Sequence, residues 1–518
     1  MSGIEIIPYI GIQTDEALFA GALFENGSSW FALSVFKKKI PLMVMSYIGA
    51  TKTALYQPIF HWFGASVYSL RVPTLLLAAA TIPMFYHFLL RAANRKVALT
   101  GAALLAFDSS YLLTATMDWG PVAMQHVCLI MGMLLNLKAF QENSPSAVAG
   151  GWFFFGLGMW DKALFIWLLS GVVVAAATVF PLEIRRKLSI RLVTTAGFFF
   201  LLGALPLLIY NIRRPLETFR GNASFSTQDL YPKIQLLPYT IDGSALFGYL
   251  VEEDWPVTQN QPVTAVEKAS VGLAAIVGER RSSLYWYAFA GSVLLVPVLW
   301  FTAWRRPALY CVAAMGLSWG QMLATTGAGG GVHHSILLWP LPLMLIAIAL
   351  VCVAEKMGAA GRSFVVIATV LLCGSGLLVM NHYTAQAIRN GSPGSWSNAI
   401  FPLSATLRKY APSKIFLADW GMTDNLRLLD EGRLPLFLAS GPLMNDEPAQ
   451  EDVARLGLML AEKSAVFVSN TDDRQVFPGV NPRLKKLASE LGYRRELLEV
   501  VRDSNGRPCF EIFRFQAP

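Results

Sequence analysis

The chain has 518 residues, of which 54% are hydrophobic and 15% are charged, and its formal net charge at pH 7 is +8. Soluble domains carry roughly one-quarter charged residues, so this composition excludes an ordinary soluble protein and indicates a polytopic membrane protein. The positive charge does not indicate a nucleic-acid partner, because the basic residues form short clusters between apolar runs, where such clusters orient membrane helices.

An adjacent acidic pair, Asp15 and Glu16, stands just before the apolar runs begin. Carboxylates are costly to bury in a membrane, so the pair is predicted to lie at a water-facing edge or in a polar cavity where it serves chemistry. The structural alternative is that the pair caps an interfacial helix. The segment 1–13 is too short to cross about 30 Å of hydrocarbon as a helix. We therefore expect either a spanning helix before Met1, which we favour, or a first span that inserts with its amino end outward.

The apolar runs predict about ten transmembrane helices, since each run approaches the roughly twenty residues that cross a bilayer. They cover residues 67–90, 97–115, 120–140, 148–160, 163–181, 192–210, 285–303, 307–325, 335–354 and 363–381.

Basic residues are concentrated in the connections after the first, fifth, seventh and ninth runs, and this asymmetry predicts which connections are cytoplasmic. These residues are Arg91, Arg95, Lys96, Arg185, Arg186, Lys187, Arg191, Arg305, Arg306, Lys356 and Arg362. The remaining connections are predicted to face the exoplasm, which is the periplasm if the source is bacterial. The chain is thus predicted to be integral to the cytoplasmic (inner) membrane, with Asp15 and Glu16 on the exoplasmic face.

These patterns divide the chain into five predicted regions. They are an exoplasmic loop at 1–66, core membrane helices at 67–210, an exoplasmic loop at 211–284 that forms a lid or acceptor cradle, further membrane helices at 285–381, and an exoplasmic soluble domain at 382–518. Alternating strand and helix patterns in the last region predict a small α/β domain. Its acidic residues Asp419, Asp424 and Asp430 are interpreted as helix caps and surface charges.

The stretch that joins the acidic pair to the first apolar run resembles a pattern in the protein O-mannosyltransferases and the lipid A aminoarabinose transferases. Those GT-C glycosyltransferases carry an acidic pair after their first helix, then a Gly-x-x-x-Lys-Pro-Pro-Leu-Tyr-like stretch, then Arg-Leu-Pro at the next helix. The corresponding residues here are Asp15-Glu16, Gly49, Lys52, Leu55, Tyr56 and Arg71-Val72-Pro73. Thr53 and Ala54 replace the prolines. Looser matches are Asp118, Trp160-Asp161-Lys162 and His333-His334.

The resemblance implies a GT-C-like fold over about residues 10–381, with the tail outside it. It also implies an inverting transfer of sugar from a polyprenyl-phosphate donor to an acceptor hydroxyl on a protein, lipid or glycan. A carboxylate base suits that reaction, and Asp15 is the candidate, with Glu16 and Asp118 as further catalytic residues. Fixed donors must stabilise the departing phosphate. The candidates for binding the phosphate and lipid donor are Lys52, Tyr56, Arg71, Lys162, His333 and His334.

Each candidate also has a structural interpretation. Lys52 could extend to the membrane interface, Arg71 could form an ion pair, and Asp118 could cap the following helix. Asp161 and Lys162 could neutralise each other, and the two histidines could lie in a solvated glycine-rich turn. Asp108, about 15 Å deeper along a helix, is predicted to be a buried hydrogen-bonded group.

No metal or cofactor is predicted, because adjacent histidines do not form a tetrahedral site by themselves and the five cysteines show neither disulfide nor zinc spacing. The alternative function is a membrane transporter or flippase of a lipid or glycan. A transporter is expected to show repeated halves and ionisable residues near the bilayer midplane, and the sequence shows no convincing repeat.

Overall fold

A computed structural model describes residues 2–517 except 25–28, 37, 221, 223, 254–257, 327–328 and 447. Helices dominate the described residues, and the strands form two separate sheets. The amino-terminal elements are α1 Ser2–Glu5, α2 Thr14–Gly21, β1 Phe31–Val35, β2 Lys38–Met45, β3 Ile48–Gly49 and α3 Thr51–Phe63.

The central region is almost entirely helical. Its helices are α4 Val67–Ala92, α5 Arg95–Ala106, α6 Ser109–Met117, α7 Val122–Glu142, α8 Pro145–Asp161, α9 Ile166–Val179, α10 Pro181–Lys187, α11 Ile190–Gly203, α12 Leu205–Arg213, α13 Glu217–Arg220, α14 Leu230–Asp242, α15 Ala265–Val277, α16 Tyr285–Leu294, α17 Val296–Leu299, α18 Arg305–Ala324, α19 Val332–Ser335, α20 Leu341–Lys356 and α21 Gly361–Asn390.

Among the described residues, three helical stretches are long and apolar enough to cross a membrane: α4, α7 and the stretch 358–390 that contains α21. Counting each of four bent helix pairs as one span raises the number to seven. The predicted number of about ten is therefore not confirmed. Polar and proline residues divide several of the apolar runs. Asp108 divides the run 97–115, because it caps α6, which meets α5 at 55°. Pro297 lies at the start of the short helix α17.

The basic connections after the first and fifth runs meet at one end of the helix bundle. Arg91 at the end of α4 pairs with Glu142 at the end of α7, and Lys187 of α10 donates to the carbonyl of Phe140 on α7 at 2.8 Å. Arg71 near the other end of α4 lies about 30 Å away along the helix axis at 1.5 Å per residue. The candidate site residues around Arg71 therefore occupy the opposite end of the bundle from these basic residues.

The amino-terminal sheet is antiparallel with the order β1-β2-β3, and it brings the start of α3 to the end of α8. Ile48 forms a backbone bridge with Lys162, and the Ala163 amide donates to the Tyr47 carbonyl at 2.9 Å. A Cβ added to Gly49 would lie 2.1 Å from the Trp160 carbonyl oxygen. Glycine at position 49 thus allows this close approach of the two segments.

The region 211–284, predicted to be an exoplasmic loop, contains the helices α13, α14 and α15. α14 packs against α16 and α18, and α15 packs against α21. The region is therefore partly built into the helix bundle. Whether it acts as a lid or acceptor cradle remains a prediction.

The carboxyl-terminal region is a small α/β unit, as predicted. Its elements are α22 Ile400–Tyr410, β4 Lys414–Leu417, α23 Thr423–Leu429, β5 Leu436–Leu438, α24 Gln450–Leu460, β6 Ala465–Asn470, α25 Val480–Glu490, β7 Arg494–Arg502 and β8 Pro508–Gln516. The sheet order is β5-β4-β6-β8-β7. β4 is parallel to its two neighbours, and β8 is antiparallel to its two.

The interpretation of the carboxyl-terminal acids as surface charges is wrong. Asp419 is 1% exposed and accepts hydrogen bonds from the amides of Trp420, Val476 and Phe477 and from the Asn470 side chain. Asp430 and Asp424 are also buried and are paired with Arg408 and Arg427 respectively. Burial of these carboxylates is tolerated because hydrogen-bond donors and cations compensate for lost hydration.

Candidate active site

Three segments that are distant in sequence meet at the end of the bundle opposite the basic cluster. They are the amino-terminal segment that contains α2 and α3, the turn between α6 and α7, and the turn that follows α8. Each segment contributes charged side chains.

Asp15 lies in the first turn of α2, where the Gln13 side chain caps the helix. Gln13 Oε1 accepts from the amides of Asp15 at 2.6 Å and Glu16 at 3.2 Å. Asp15 is partly exposed, whereas Glu16 is 1% exposed. Burial raises the pKa of Asp15, and a hydrogen bond from Gln13 and the charge of Lys162 oppose this rise. A carboxylate whose pKa is raised is a stronger base than a solvated one, and access to solvent leaves it open to a substrate.

Glu16 and Arg71 form a buried ion pair. Arg71 Nε and Nη2 donate to the two Glu16 carboxylate oxygens at 2.7 and 2.8 Å. The other donors of Arg71 reach the carbonyls of Ile7, Ile10 and Gly11. Because a guanidinium has five N–H donors, this arrangement uses them all and leaves none for a phosphate. The geometry favours the ion-pair interpretation of Arg71, and it gives Glu16 the same structural role.

Replacing Arg71 with methionine is expected to lower the free energy of unfolding by about 3–5 kcal/mol, because Glu16 would keep a buried charge without a partner. The measurement is denaturant unfolding of the purified protein in detergent. Arg91→Met is the matched control, since its pair with Glu142 is 34% and 44% exposed and is worth at most about 1 kcal/mol. Equal losses in the two variants would contradict the structural role.

Lys52 and Asp118 form a second buried pair. Lys52 Nζ lies 2.9 Å from Asp118 Oδ2 and donates to the Asp118 carbonyl at 2.7 Å. Asp118 has left-handed backbone geometry at the end of α6, and its Oδ1 accepts from the Ala123 amide at 3.1 Å. It therefore also caps the next helix, as the structural interpretation predicted. Lys52 packs over the ring of Phe19, and Tyr56 is 1% exposed. Neither Lys52 nor Tyr56 is open to solvent in this arrangement.

No ion pair or hydrogen bond joins Asp161 to Lys162 in the described residues. Asp161 accepts hydrogen bonds from Thr51 and from Gln125 Nε2, the latter at 2.8 Å. No hydrogen bond or ion pair joins Lys162 Nζ to any residue that the structure describes, although the residue is 1% exposed. Burial lowers the pKa of Lys162 to about 8, and the charges of Asp161, Asp15 and Asp118 oppose this shift. Lys162 is thus a buried cation beside Asp15 whose donors are unused within the described chain.

The two candidate histidines lie near Lys162. His333 Nδ1 accepts from Trp119 Nε1 at 2.9 Å, and His334 Nδ1 accepts from the Gly329 amide at 3.1 Å. His333 is partly exposed and His334 is buried, so neither is a freely solvated turn residue. With Nδ1 accepting in both rings, the proton of the neutral imidazole belongs to Nε2. His333 Nε2 is thus available as a donor near Lys162.

The carboxyl-terminal unit packs directly on the segment that precedes Asp15. Asn425 Nδ2 donates to the Ile12 carbonyl at 2.8 Å, and the Gly11 amide donates to the Trp396 carbonyl at 2.8 Å. A Cβ on Gly11 would lie 2.1 Å from the Ser397 carbonyl oxygen. The tail, predicted to be a separate domain, therefore supports the acidic helix.

In the part of the chain that the structure describes, no three or more histidine, cysteine, aspartate or glutamate side chains form a group that could hold a metal ion. The charged groups here are instead arranged as acid–cation pairs around Asp15 and Lys162.

Several residues at this site were not predicted from the sequence. Thr51 and Gln125 hold Asp161, and Tyr47 and Tyr249 interact electrostatically with Asp15. Gln125 could have been recognised from the sequence, because it is a polar residue inside an apolar run. Tyr249 could not, because tyrosine is common near the ends of membrane helices.

No protein-family model and no curated protein sequence matches this chain. Solved structures do match. The structure of ArnT from Cupriavidus metallidurans in the apo state is 13% identical with a TM-score of 0.54, and the match covers 98% of this chain and 96% of that chain. ArnT bound to undecaprenyl phosphate is 12% identical with a TM-score of 0.54, and the match covers 99% of this chain and 96% of that chain.

The oligosaccharyltransferase AglB from Archaeoglobus fulgidus, in complex with an inhibitory peptide and a dolichol-phosphate, is 11% identical. That match covers 100% of this chain and 74% of that chain, with a TM-score of 0.48. The likeness to ArnT shows that this chain shares the fold of ArnT. The likeness covers 98% of this chain and therefore includes the tail. The sequence resemblance had implied that the tail lies outside the shared fold.

Proposed function

We propose that the chain is an integral membrane glycosyltransferase that moves a sugar from a polyprenyl-phosphate donor to an acceptor hydroxyl on the exoplasmic side. The observation that carries this proposal is the placement of Asp15, a partly exposed carboxylate, beside Lys162, a buried cation with no partner in the described chain. Such a pair supplies an acid–base group and a charge-stabilising group in one site. The ArnT fold supports the proposal, since one ArnT structure is bound to undecaprenyl phosphate.

In this reaction Asp15 accepts the proton of the acceptor hydroxyl while the hydroxyl oxygen bonds to the anomeric carbon of the sugar. The bond from that carbon to the phosphate oxygen breaks on the opposite face, so the configuration inverts. Polyprenyl phosphate leaves with the bonding electrons, and Lys162 stabilises its developing negative charge. The partly exposed His333 is the second donor toward the phosphate.

Lys52 and Asp118 act more indirectly in this proposal. Lys52 reaches a phosphate only if its ion pair with Asp118 opens, so we assign the first phosphate contact to Lys162. The Lys52–Asp118 pair holds the turn between α6 and α7 against α3, and Asp161 holds the turn after α8 through Thr51. These contacts fix the positions of the groups that react.

The function is tested with the purified chain in lipid nanodiscs, supplied with undecaprenyl phosphate linked to a radiolabelled hexose or pentose and with solubilised membranes as acceptor. The label is expected to move from the lipid to acceptor material, and a nucleotide-linked sugar is expected not to replace the donor. Empty nanodiscs are the control. Movement of the intact lipid-linked sugar across the bilayer without transfer would contradict the proposal and favour a flippase.

The proposed reaction needs no metal, because Lys162 supplies the positive charge at the leaving phosphate. Chelation with EDTA is therefore expected to leave the rate of label transfer unchanged. Loss of transfer in EDTA, restored by a divalent ion, would contradict this part.

In cells that lack the chain, mass spectrometry of envelope glycans and glycoproteins identifies the acceptor class, and an unchanged profile would count against the proposal.

A further inference from the structure

Tyr249 presents an exposed aromatic ring on a support of two buried tryptophans. Its side chain is 42% exposed, whereas Trp119 and Trp396 are 4% and 1% exposed. The Tyr249 ring centroid lies 5.8 Å from that of Trp119 and 6.1 Å from that of Trp396, and the two indole rings lie 5.4 Å apart with near-perpendicular planes. Tyr249 packs edge-to-face on Trp396 and at a tilt on Trp119. Such packing fixes ring orientation, so Tyr249 is held in place while part of the residue stays exposed.

The backbone around Tyr249 is also fixed. Gly248 has a left-handed φ of 74°, which glycine adopts without strain, and its amide donates to the Val251 carbonyl at 3.0 Å. The residues that follow Tyr249, Leu250 and Val251, are fully buried. The exposed ring therefore projects from a tight turn anchored in the core.

The ring packs beside the candidate site, because Trp119 directly follows Asp118 in the turn between α6 and α7. Burial raises the pKa of the Tyr249 hydroxyl, and the nearby Asp15 carboxylate raises it further. Trp119, on which Tyr249 packs, donates to His333 at 2.9 Å, and His333 interacts electrostatically with Lys162. The exposed ring thus packs on a tryptophan that follows Asp118 in the sequence and donates to His333.

We propose that the exposed ring of Tyr249 is a binding subsite for a sugar ring, which rests on and extends the proposed function. One face of a sugar ring presents polarised C–H groups, and an aromatic face carries partial negative charge that attracts them. A tyrosine already held in place gives this contact area at a small entropic cost.

The sugar belongs either to the donor or to a carbohydrate acceptor, and binding measurements separate the two. Tyr249→Leu is expected to weaken binding of undecaprenyl phosphate linked to a hexose or pentose by about tenfold, while binding of unloaded undecaprenyl phosphate stays unchanged. This result assigns the donor sugar. If both lipids bind normally but the concentration of acceptor membranes for half-maximal transfer rises, the acceptor sugar occupies the subsite.

Two variants control for other causes. Tyr249→Phe keeps the ring and is expected to behave as the wild type, and Tyr239→Leu removes a comparably exposed tyrosine on α14 and is expected to have no effect. The subsite is overturned if Tyr249→Leu changes neither lipid binding nor the acceptor requirement, or if it weakens both lipids equally. If the wild-type protein binds the sugar-loaded lipid more tightly than Tyr249→Leu does but transfers no sugar, the proposed function is contradicted and the subsite is not.

Discussion

Replacing Asp15 with asparagine is expected to lower the rate of sugar transfer by about 10²–10⁴-fold, the usual contribution of a positioned acid–base group. Asparagine has nearly the same shape and keeps a side-chain oxygen that can accept from Gln13, but it cannot take up the acceptor proton. The fold is expected to be unchanged, because Asp15 is partly exposed and forms no ion pair within the described chain. The measurement is single-turnover transfer of label from undecaprenyl-phosphate sugar in nanodiscs.

The pH dependence distinguishes a base from a residue that only shapes the site. Burial raises the pKa of Asp15 above its ordinary value, so the wild-type rate is expected to fall as the pH decreases through that raised pKa, because the protonated acid accepts no proton. The residual rate of Asp15→Asn is expected to lack this acid limb. Glu5→Gln, which removes an exposed acid from α1, is the control. Full activity in Asp15→Asn would rule out Asp15 as the base.

The sequence motif named residues that the structure brings together, but it did not specify their contacts. Asp15 and Glu16 are adjacent, yet one is partly exposed and the other is buried against Arg71. That difference depends on which helix face meets α4, and the sequence around the pair does not specify it. The pairing of Lys52 with Asp118 joins residues 66 positions apart, which spacing within either segment cannot predict.

Sequence patterns predicted the structure best for elements whose formation depends on residues close together in the sequence. The predicted strands and helices of the tail are confirmed because strand alternation and helical periodicity are short-range signals, whereas the three-residue strand β5 was too short to give one. The number of about ten spans is not confirmed, because hydropathy reports an apolar run but not a bend within it. For Asp108, by contrast, the prediction from the sequence is confirmed. Its burial was predicted, and it accepts hydrogen bonds from Tyr111 and Trp339 at 2.7 and 3.2 Å.

Replacing Lys162 with methionine is expected to lower the transfer rate by about 10²–10³-fold, the cost of removing one preorganised charge-stabilising donor. Methionine keeps a similar length and suits a buried position, so the protein is expected to fold. The wild-type rate is also expected to fall as the pH rises through about 8, because burial lowers the pKa of Lys162 to about 8 and only the protonated amine stabilises the phosphate. The measurement is the pH profile of kcat/KM for the lipid-linked sugar.

Replacing Lys162 with arginine keeps the positive charge at this position but removes its titration near pH 8. A guanidinium stays protonated throughout this range, so Lys162→Arg is expected to retain partial activity and to lose the alkaline limb near pH 8. Lys233→Met is the matched control, because Lys233 is also buried but donates to the Thr325 carbonyl and should not shift the limb. If Lys162→Met keeps full activity while Lys52→Met loses it, the Lys52–Asp118 pair must open during the reaction, and Lys52 then holds the phosphate in place of Lys162. An alkaline limb that persists in Lys162→Arg would likewise assign the titrating cation elsewhere.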